Sequence, residues 1–597
     1  MNLTALDWAI IAAFFGITIL IGIFLSSKKN QTTTDYFLGG RHMSWWLIGV
    51  SMVATTFSAD TPNLVTDIVR NNGVMGNWVW WAFLLTGMLT VFLYARLWRR
   101  SGITTDLEFY ELRYSGKQAR FLRGFRAIYL GVFFNVMIMA TVMLAGIKIS
   151  GILMGYSALE TVLLVSVITV IYSSVGGFKG VIYTDFFQFA LAMFGMVWAC
   201  VYILNLPEIG GLESLLQRPE IQGKLRMVPT MDDFSGTGLN TLLGIFIIPV
   251  AVQWWSVWYP GAEPGGGGYI AQRMLSARDE KEAVWATLLF NVAHYALRPW
   301  PWILIALASM IFFPDLPSIA RQFPNIESSF VGHDLAFPAM LSLLPSGLLG
   351  IVIASLLAAL MSTISTHLNW GSSYVVNDFY QRFVKPEASQ KELIIVGRIS
   401  TVFLMLIASL FALGLTSALQ AFNILLQVGA GTGLLFILRW FWWRINAVSE
   451  LVAMFASFFW AVIFEFVVKD SMSANEKMIT GIFLTTVCWV VATMITKPTD
   501  MPTLVRFYNL IQPQGNGWKP VVDYARNLGQ LKEVSIKQST LTNGILLMVF
   551  GSLLIYSLLF GTGYLIYGQT TNVFITLSIA LVSGYIITVL WKKSDMH

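Results

Sequence analysis

Charge is scarce in this chain. Only 12% of its 597 residues are Asp, Glu, Lys or Arg, while 56% are hydrophobic; soluble domains carry roughly a quarter charged residues, so an ordinary soluble globular protein is excluded. Cysteine is scarcer still. The two present, Cys200 and Cys488, both lie inside apolar runs, which excludes a disulfide framework and a thiolate metal site. The chain has no His-Glu-x-x-His pair, no nucleophile elbow and no paired-aspartate motif, so nothing points to an intramembrane enzyme. A glycine run at 265–268 is not followed by Lys-Ser/Thr, which argues against a phosphate cradle.

What the chain has in quantity is apolar runs of about 20 residues, each long enough to cross a bilayer core as a helix. About fifteen recur, at 6–26, 45–69, 77–98, 123–153, 158–173, 180–205, 240–260, 283–312, 345–378, 393–416, 418–441, 448–468, 477–496, 543–566 and 572–592. The expected class is an all-α integral membrane protein. No basic residue precedes the first run and no small-residue cleavage pattern follows it, so it reads as a retained helix. Lys and Arg gather on one side if the spans alternate, from Lys28 and Lys29 to Lys592 and Lys593. This puts the amino terminus outside and the carboxyl terminus in the cytoplasm of a cell inner (plasma) membrane. Topology then accounts for the net charge of +6, and nothing calls for nucleic acid.

Oxygen is concentrated in two of the runs. "ALMSTIST" (359–366) holds Ser362, Thr363, Ser365 and Thr366. At 3.6 residues per turn, Ala359, Ser362, Thr363 and Thr366 share one arc and Ser362, Ser365 and Asn369 the next. One or two hydroxyls would be ordinary helix glue; four flanked by Ala359 and Asn369 suit a hard monovalent cation. The second run, "SMVATTFSADTPNLVTD", packs Thr55, Thr56, Ser58, Asp60, Thr61 and Asn63 around Pro62. Proline has no N–H, so a break here would free carbonyls around Ala54 to Phe57, a device that holds Na⁺ in membranes; a plain kink is the alternative. Asp185, flanked by "VIYT" and "FFQFALAMF", needs a bound ion, hydrogen bonds or a proton.

"DYFLGGR" (35–41), "SMVATTFSAD" (51–60), "YSSVGGFKGVIYTDFFQ" (172–188), "IAQRMLSA" (270–277), "AALMSTIST" (358–366), "VVNDFY" (375–380) and "LLQVGAGTG" (425–433) resemble the sodium:solute symporters, in the same order. The resemblance runs from about residue 6 to 470 and extends to the bacterial sodium/sugar carriers. It implies a fold like that of the leucine transporter, two five-helix repeats of inverted topology. The corresponding division is an extra helix and loop (1–44), first repeat (45–205), second repeat (240–441), additional helices (442–496), a cytoplasmic linker (497–540) and C-terminal helices (541–597). It also implies one Na⁺ at Ala54, Phe57, Ala359, Ser362 and Thr363, and a second at Asp185, Ser365 and Thr366 together with Ser362.

For the solute, the resemblance points to Thr56, Thr61, Trp80, Trp258, Tyr259, Arg298 and Gln427. The family's polar residues at two of these positions are here Trp80 and Thr61. The stretch "WYPGAEPGGGGYIAQR" adds about four residues to the family pattern. Glu263, within it, is expected either to face a cavity and bind solute or to lie on a solvated loop. Arg298, in "HYALRPWPW", needs a partner, for which a carboxylate solute, Glu263 and Asp60 compete. Lys148 sits nearer a span's outer end, where snorkelling suffices.

The expected function is therefore Na⁺-coupled uptake of a small polar organic solute. A sugar or polyol leads, from the aromatic lining and Gln427; a carboxylate such as a sugar acid or monocarboxylate follows, from Arg298. A Na⁺-binding channel or sensor without coupled uptake is the alternative of another class.

Overall fold

The computed structural model describes residues 3–25, 32–230, 238–256, 263–324, 326, 328–415, 429, 431–468, 471–531 and 540–593. Among them no strand forms, only an isolated bridge between Met43 and Ala277. The helices are α1 (Ala5–Leu25), α2 (Trp45–Thr56), α3 (Asp60–Asn72), α4 (Val74–Ser101), α5 (Gly116–Leu153), α6 (Ala158–Leu204), α7 (Gly238–Ala251), α8 (Gly268–Ser276) and α9 (Glu280–Phe312). They continue with α10 (Leu348–Val384), α11 (Gln390–Gly414), α12 (Ala447–Ile463), α13 (Ala474–Ile495), α14 (Met501–Ile511), α15 (Lys519–Asn527), α16 (Leu541–Ile566) and α17 (Thr570–Lys593). Nine helical stretches among the described residues are long and apolar enough to cross a bilayer, and five shorter apolar ones accompany them. Half of the run expected at 418–441 falls outside the described residues, and the described remainder includes a helix at Gly433–Leu438.

α10 is the most enclosed of the long stretches, with 94% of its most apolar window buried, against 17% for α17 at the periphery. The hydroxyl-bearing run is therefore central, and side chains there must find partners inside the protein. Where helices face lipid, as on α11 and α17, exposed Ile399, Phe403, Leu410, Phe574 and Leu581 replace them.

α2 and α3 are one span interrupted at 57–59. Phe57 leaves helical geometry (φ −88°, ψ 83°), and α3 restarts at Asp60 with Pro62 in its first turn. There an N–H would have no intrahelical acceptor, so proline costs nothing. Further along the chain α7 stops at Ala251 and α8 begins at Gly268, with residues 257–262 between them outside the described set.

The segment Ala158–Leu204, expected as two spans, keeps helical backbone throughout but runs as two legs. No proline interrupts it, and a Gly-Gly pair weakens a helix without ending it. It is not a straight rod, which would separate residues 156 and 195 by about 60 Å. Tyr156 lies against Trp8 of α1, whose neighbour Asp7 accepts from the Gly350 N–H, while Gly195 packs on Ser355 of the same α10 end. The segment thus doubles back between two legs.

The expected linker is docked. Trp518, fully buried, stacks on Phe507 of α14, donates to the Trp440 carbonyl (2.8 Å) and lies under the Arg113 guanidinium (4.6 Å).

Candidate functional site

The break in α2–α3 lies directly against the hydroxyl face of α10. Thr363 Oγ1 reaches the Thr55 carbonyl at 2.9 Å and the Ala359 carbonyl at 3.1 Å, so a single hydroxyl joins the two elements. Ala54, Phe57, Ala359, Ser362 and Thr363 are all buried. Thr55 Oγ1 is also 3.2 Å from Thr366 Oγ1.

Asp185 is fully buried beside them. Its Oδ1 accepts from Ser362 (2.6 Å) and its Oδ2 from Ser51 (2.6 Å), while an Arg273 nitrogen stands 3.7 Å from Oδ2. Arg273 also donates to Thr366 (2.9 Å). Asp185, Ser362 and Thr366 therefore share one network, and Ser365 instead donates to the Ser362 carbonyl of its own helix (2.9 Å). A guanidinium supplies the charge partner that ion binding or protonation was expected to supply. Sequence reasoning gave Arg273 no role at this site; its place in "IAQRMLSA", beside the Asp185-bearing and hydroxyl-bearing stretches of the same resemblance, was the available signal.

A second polar group lies on the other side of the break. α9 opens into a π-helical turn over Ala293–Leu297, a feature concentrated at functional positions. That turn delivers His294, Tyr295 and Arg298. Arg298 donates to the Val53 carbonyl (3.3 Å), to Thr56 (3.4 Å) and to His294 Nε2 (3.4 Å), with its plane over Trp302 (5.3 Å). A guanidinium only donates, so Nε2 accepts and His294 Nδ1 carries the proton toward Thr56 at 3.1 Å; Thr56 passes its own to Val53 O at 2.9 Å. Trp80 stacks on Tyr295 (5.9 Å) and donates to Asn77 (2.8 Å). The structure thus brings Thr56, Trp80 and Arg298 together, with Thr61 in the first turn of α3. His294 and Tyr295 were missed, and being contiguous with Arg298 was the signal. Trp258, Tyr259 and Gln427 lie outside the described residues.

Glu263 adopts neither expected setting. It is 2% exposed, with one oxygen paired to Arg126 and the other to Arg439 at 3.3 Å. Arg439 continues to Glu450 (3.3 Å), which accepts from Tyr114 (2.6 Å). The glycines make this possible. Gly265 and Gly266 have φ of 86° and 85°, and a Cβ on Gly265 would stand 2.8 Å from the Tyr94 ring. Trp98 donates to the Gly265 carbonyl (2.7 Å) and the Gly268 N–H to Asp106 (2.8 Å), so the insertion is packed backbone and not a free loop. Lys148 likewise does not snorkel; it pairs with Asp334 at 2.6 Å.

The model of the "Sodium:solute symporter family" matches residues 36–457. The chain belongs to that family. It is accordingly a multi-pass membrane transporter that couples solute movement to sodium, and not an enzyme. Among its relatives are a sodium/glucose cotransporter of Vibrio parahaemolyticus, 25% identical over 84% of this chain and 92% of the relative, and a sodium/mannose cotransporter of Bos taurus, 28% identical over 68% of each. A sodium/myo-inositol cotransporter of Bos taurus is 27% identical over 67% of this symporter and 58% of its own length. Among solved structures, a Na⁺-coupled sialic acid symporter in a substrate-bound outward-open state superposes with a TM-score of 0.66, at 22% identity, over 83% of this chain and 99% of the other. The symporter therefore has the leucine-transporter-like fold expected.

Proposed function

We propose that this symporter takes up a small sugar or polyol together with Na⁺, the first ion held by the carbonyls of Ala54 and Phe57, the carbonyl of Ala359 and the hydroxyls of Ser362 and Thr363. The observation that carries the reading is the Thr363 hydroxyl spanning from α10 to the Thr55 carbonyl at the break. A hydroxyl placed there can exchange its hydrogen bond for an ion without moving either element, so Na⁺ would tie the broken helix to α10 and favour the solute-binding state. One positive charge entering down a 100 mV inside-negative potential contributes about 2.3 kcal/mol before any concentration gradient.

A second Na⁺ at Asp185, Ser365 and Thr366, shared with Ser362, would have to displace the Arg273 contacts to Asp185 and Thr366. The amino terminus is placed outside and the carboxyl terminus in the cytoplasm, with 45–205 and 240–441 as the inverted repeats. The sugar and polyol cargoes named for the relatives support the solute class.

Uptake of glucose, mannose and myo-inositol into proteoliposomes under an inward Na⁺ gradient tests this. Accumulation should vanish when choline or K⁺ replaces Na⁺, and equal accumulation in either medium would sink the reading. The charge moved per solute in voltage-clamped vesicles separates one ion from two; with two, D185N should lower it from two to one.

A further inference from the structure

His333 takes no part in the site described above. It lies half-buried in the segment between α9 and α10, and its Nδ1 stands 3.1 Å from Arg70 Nε in the last turn of α3. A guanidinium only donates, so Nδ1 presents a lone pair and the ring is neutral. The other Arg70 donors go to α9 and its end, Nη1 to Ser309 (3.0 Å) and Nη2 to the Phe313 carbonyl (2.6 Å). The next residue, Asp334, pairs with Lys148 near the end of α5 (2.6 Å). Two consecutive side chains thus clamp α3 and α9 on one side to α5 on the other.

A proton on His333 undoes one half of this clamp. The imidazolium has two N–H groups and no lone pair, so Nδ1 can no longer accept, and a positive charge is brought against Arg70. The charged groups around it are Arg70 and Asp67 on α3, Lys224, whose ammonium donates to the Arg70 and Asn71 carbonyls (3.0 Å each), Asp334 beside it, Lys148 on α5, and Asp315, which acts on Arg70. Asp334 favours the added charge but is already paired; burial, with Arg70 and Lys224, outweighs it and holds His333 below the ordinary imidazole range. Arg70 keeps its α9 partners and Asp334 its lysine, so the seam that parts lies between α3 with α9 and the 328–335 segment. α3 carries this to the centre of the molecule. From Asp60 to Arg70 it is about 15 Å of unbroken helix, and it starts at the break that faces the α10 hydroxyls. A catch at one end sets how far this half-span can swing about the break at the other.

We propose that His333 is a pH-operated catch: neutral, it holds α3 and α9 against the 328–335 segment; protonated, it lets them part. None of the groups involved belongs to the sets proposed above for Na⁺ or solute. A ring held neutral in the closed form and released in the open one favours opening as pH falls, by up to about tenfold per pH unit below about 6.5, until the closed form also takes the proton. Amide hydrogen exchange over 66–72 and 328–335 tests this, followed by mass spectrometry on the full-length protein at about pH 7.5 and pH 5.5 and corrected for the intrinsic pH dependence of exchange. Opening should be severalfold greater at the acid pH, with about tenfold as its ceiling. H333Q supplies an amide that can accept from Arg70 and cannot titrate, and should stay protected at both pH values; H333F, with no acceptor, should be open at both. Less than a twofold change in wild type overturns the proposal. So does a wild-type response in folded H333Q, which would assign the effect to Asp67 or Asp334. If H333Q does not fold, as judged by its melting transition, wild-type protection in H333F at neutral pH overturns it instead; if neither variant folds, the wild-type comparison decides alone.

Discussion

Two buried charge clusters in this protein are built on opposite plans. Around Glu263 every carboxylate has a cation: Arg126 and Arg439 take its two oxygens, and Arg439 and Tyr114 take those of Glu450. Around Arg298 the cation has only neutral partners, and the nearby acid, Asp60, keeps a bare oxygen. In the first every carboxylate is matched by a guanidinium, although Arg126 Nε and Arg439 Nε are left without partners, and the cluster holds backbone in place. The second has capacity left over, which is what a binding site requires. Burial alone does not separate them, since Glu263 and Arg298 are 2% and 1% exposed.

That contrast can be broken at its paired end first. E263A leaves Arg126 buried without its acid and Arg439 with Glu450 alone, a loss expected to cost about 3–5 kcal/mol and to appear as a collapse in yield of monodisperse protein and in melting temperature. At the unfinished end, R298Q should leave folding and the Na⁺-induced thermal shift in place while uptake falls at least a hundredfold. If R298Q instead unfolds the protein as E263A does, the two clusters are alike and the contrast is wrong. G265A forces a side chain into the left-handed region against Tyr94, and should lower thermal stability by about 1–3 kcal/mol. T363A removes the hydroxyl bridging the break and should raise the half-saturating Na⁺ concentration for uptake about tenfold, equivalent to about 1.4 kcal/mol. Last, D523N breaks an exposed pair with Arg526 (3.5 Å), and no change in melting or uptake is expected.

Sequence reading reached the hydroxyl face of α10 and the interruption before Pro62 because both are local: periodicity places Ser362, Thr363 and Thr366 on neighbouring arcs, and proline chemistry acts within one turn. It missed Arg273 beside Asp185 and the pairing of Glu263 because those partners are remote, Arg126 and Arg439 lying 137 and 176 residues from Glu263. It also read 497–540 as a linker, since an amphipathic helix in a loop carries no mark of the surface it will cover.

The sequence by itself determined that this chain lives in a bilayer, that one span is weakened where Pro62 follows a run of hydroxyls, and that neutral oxygens crowd a single helix face. Composition and period depend only on near neighbours, so folding adds nothing to them. Which buried charge is paid off by another and which is left open was decided only when helices far apart in the chain were packed together, because desolvation and partner choice depend on what each side chain finally meets.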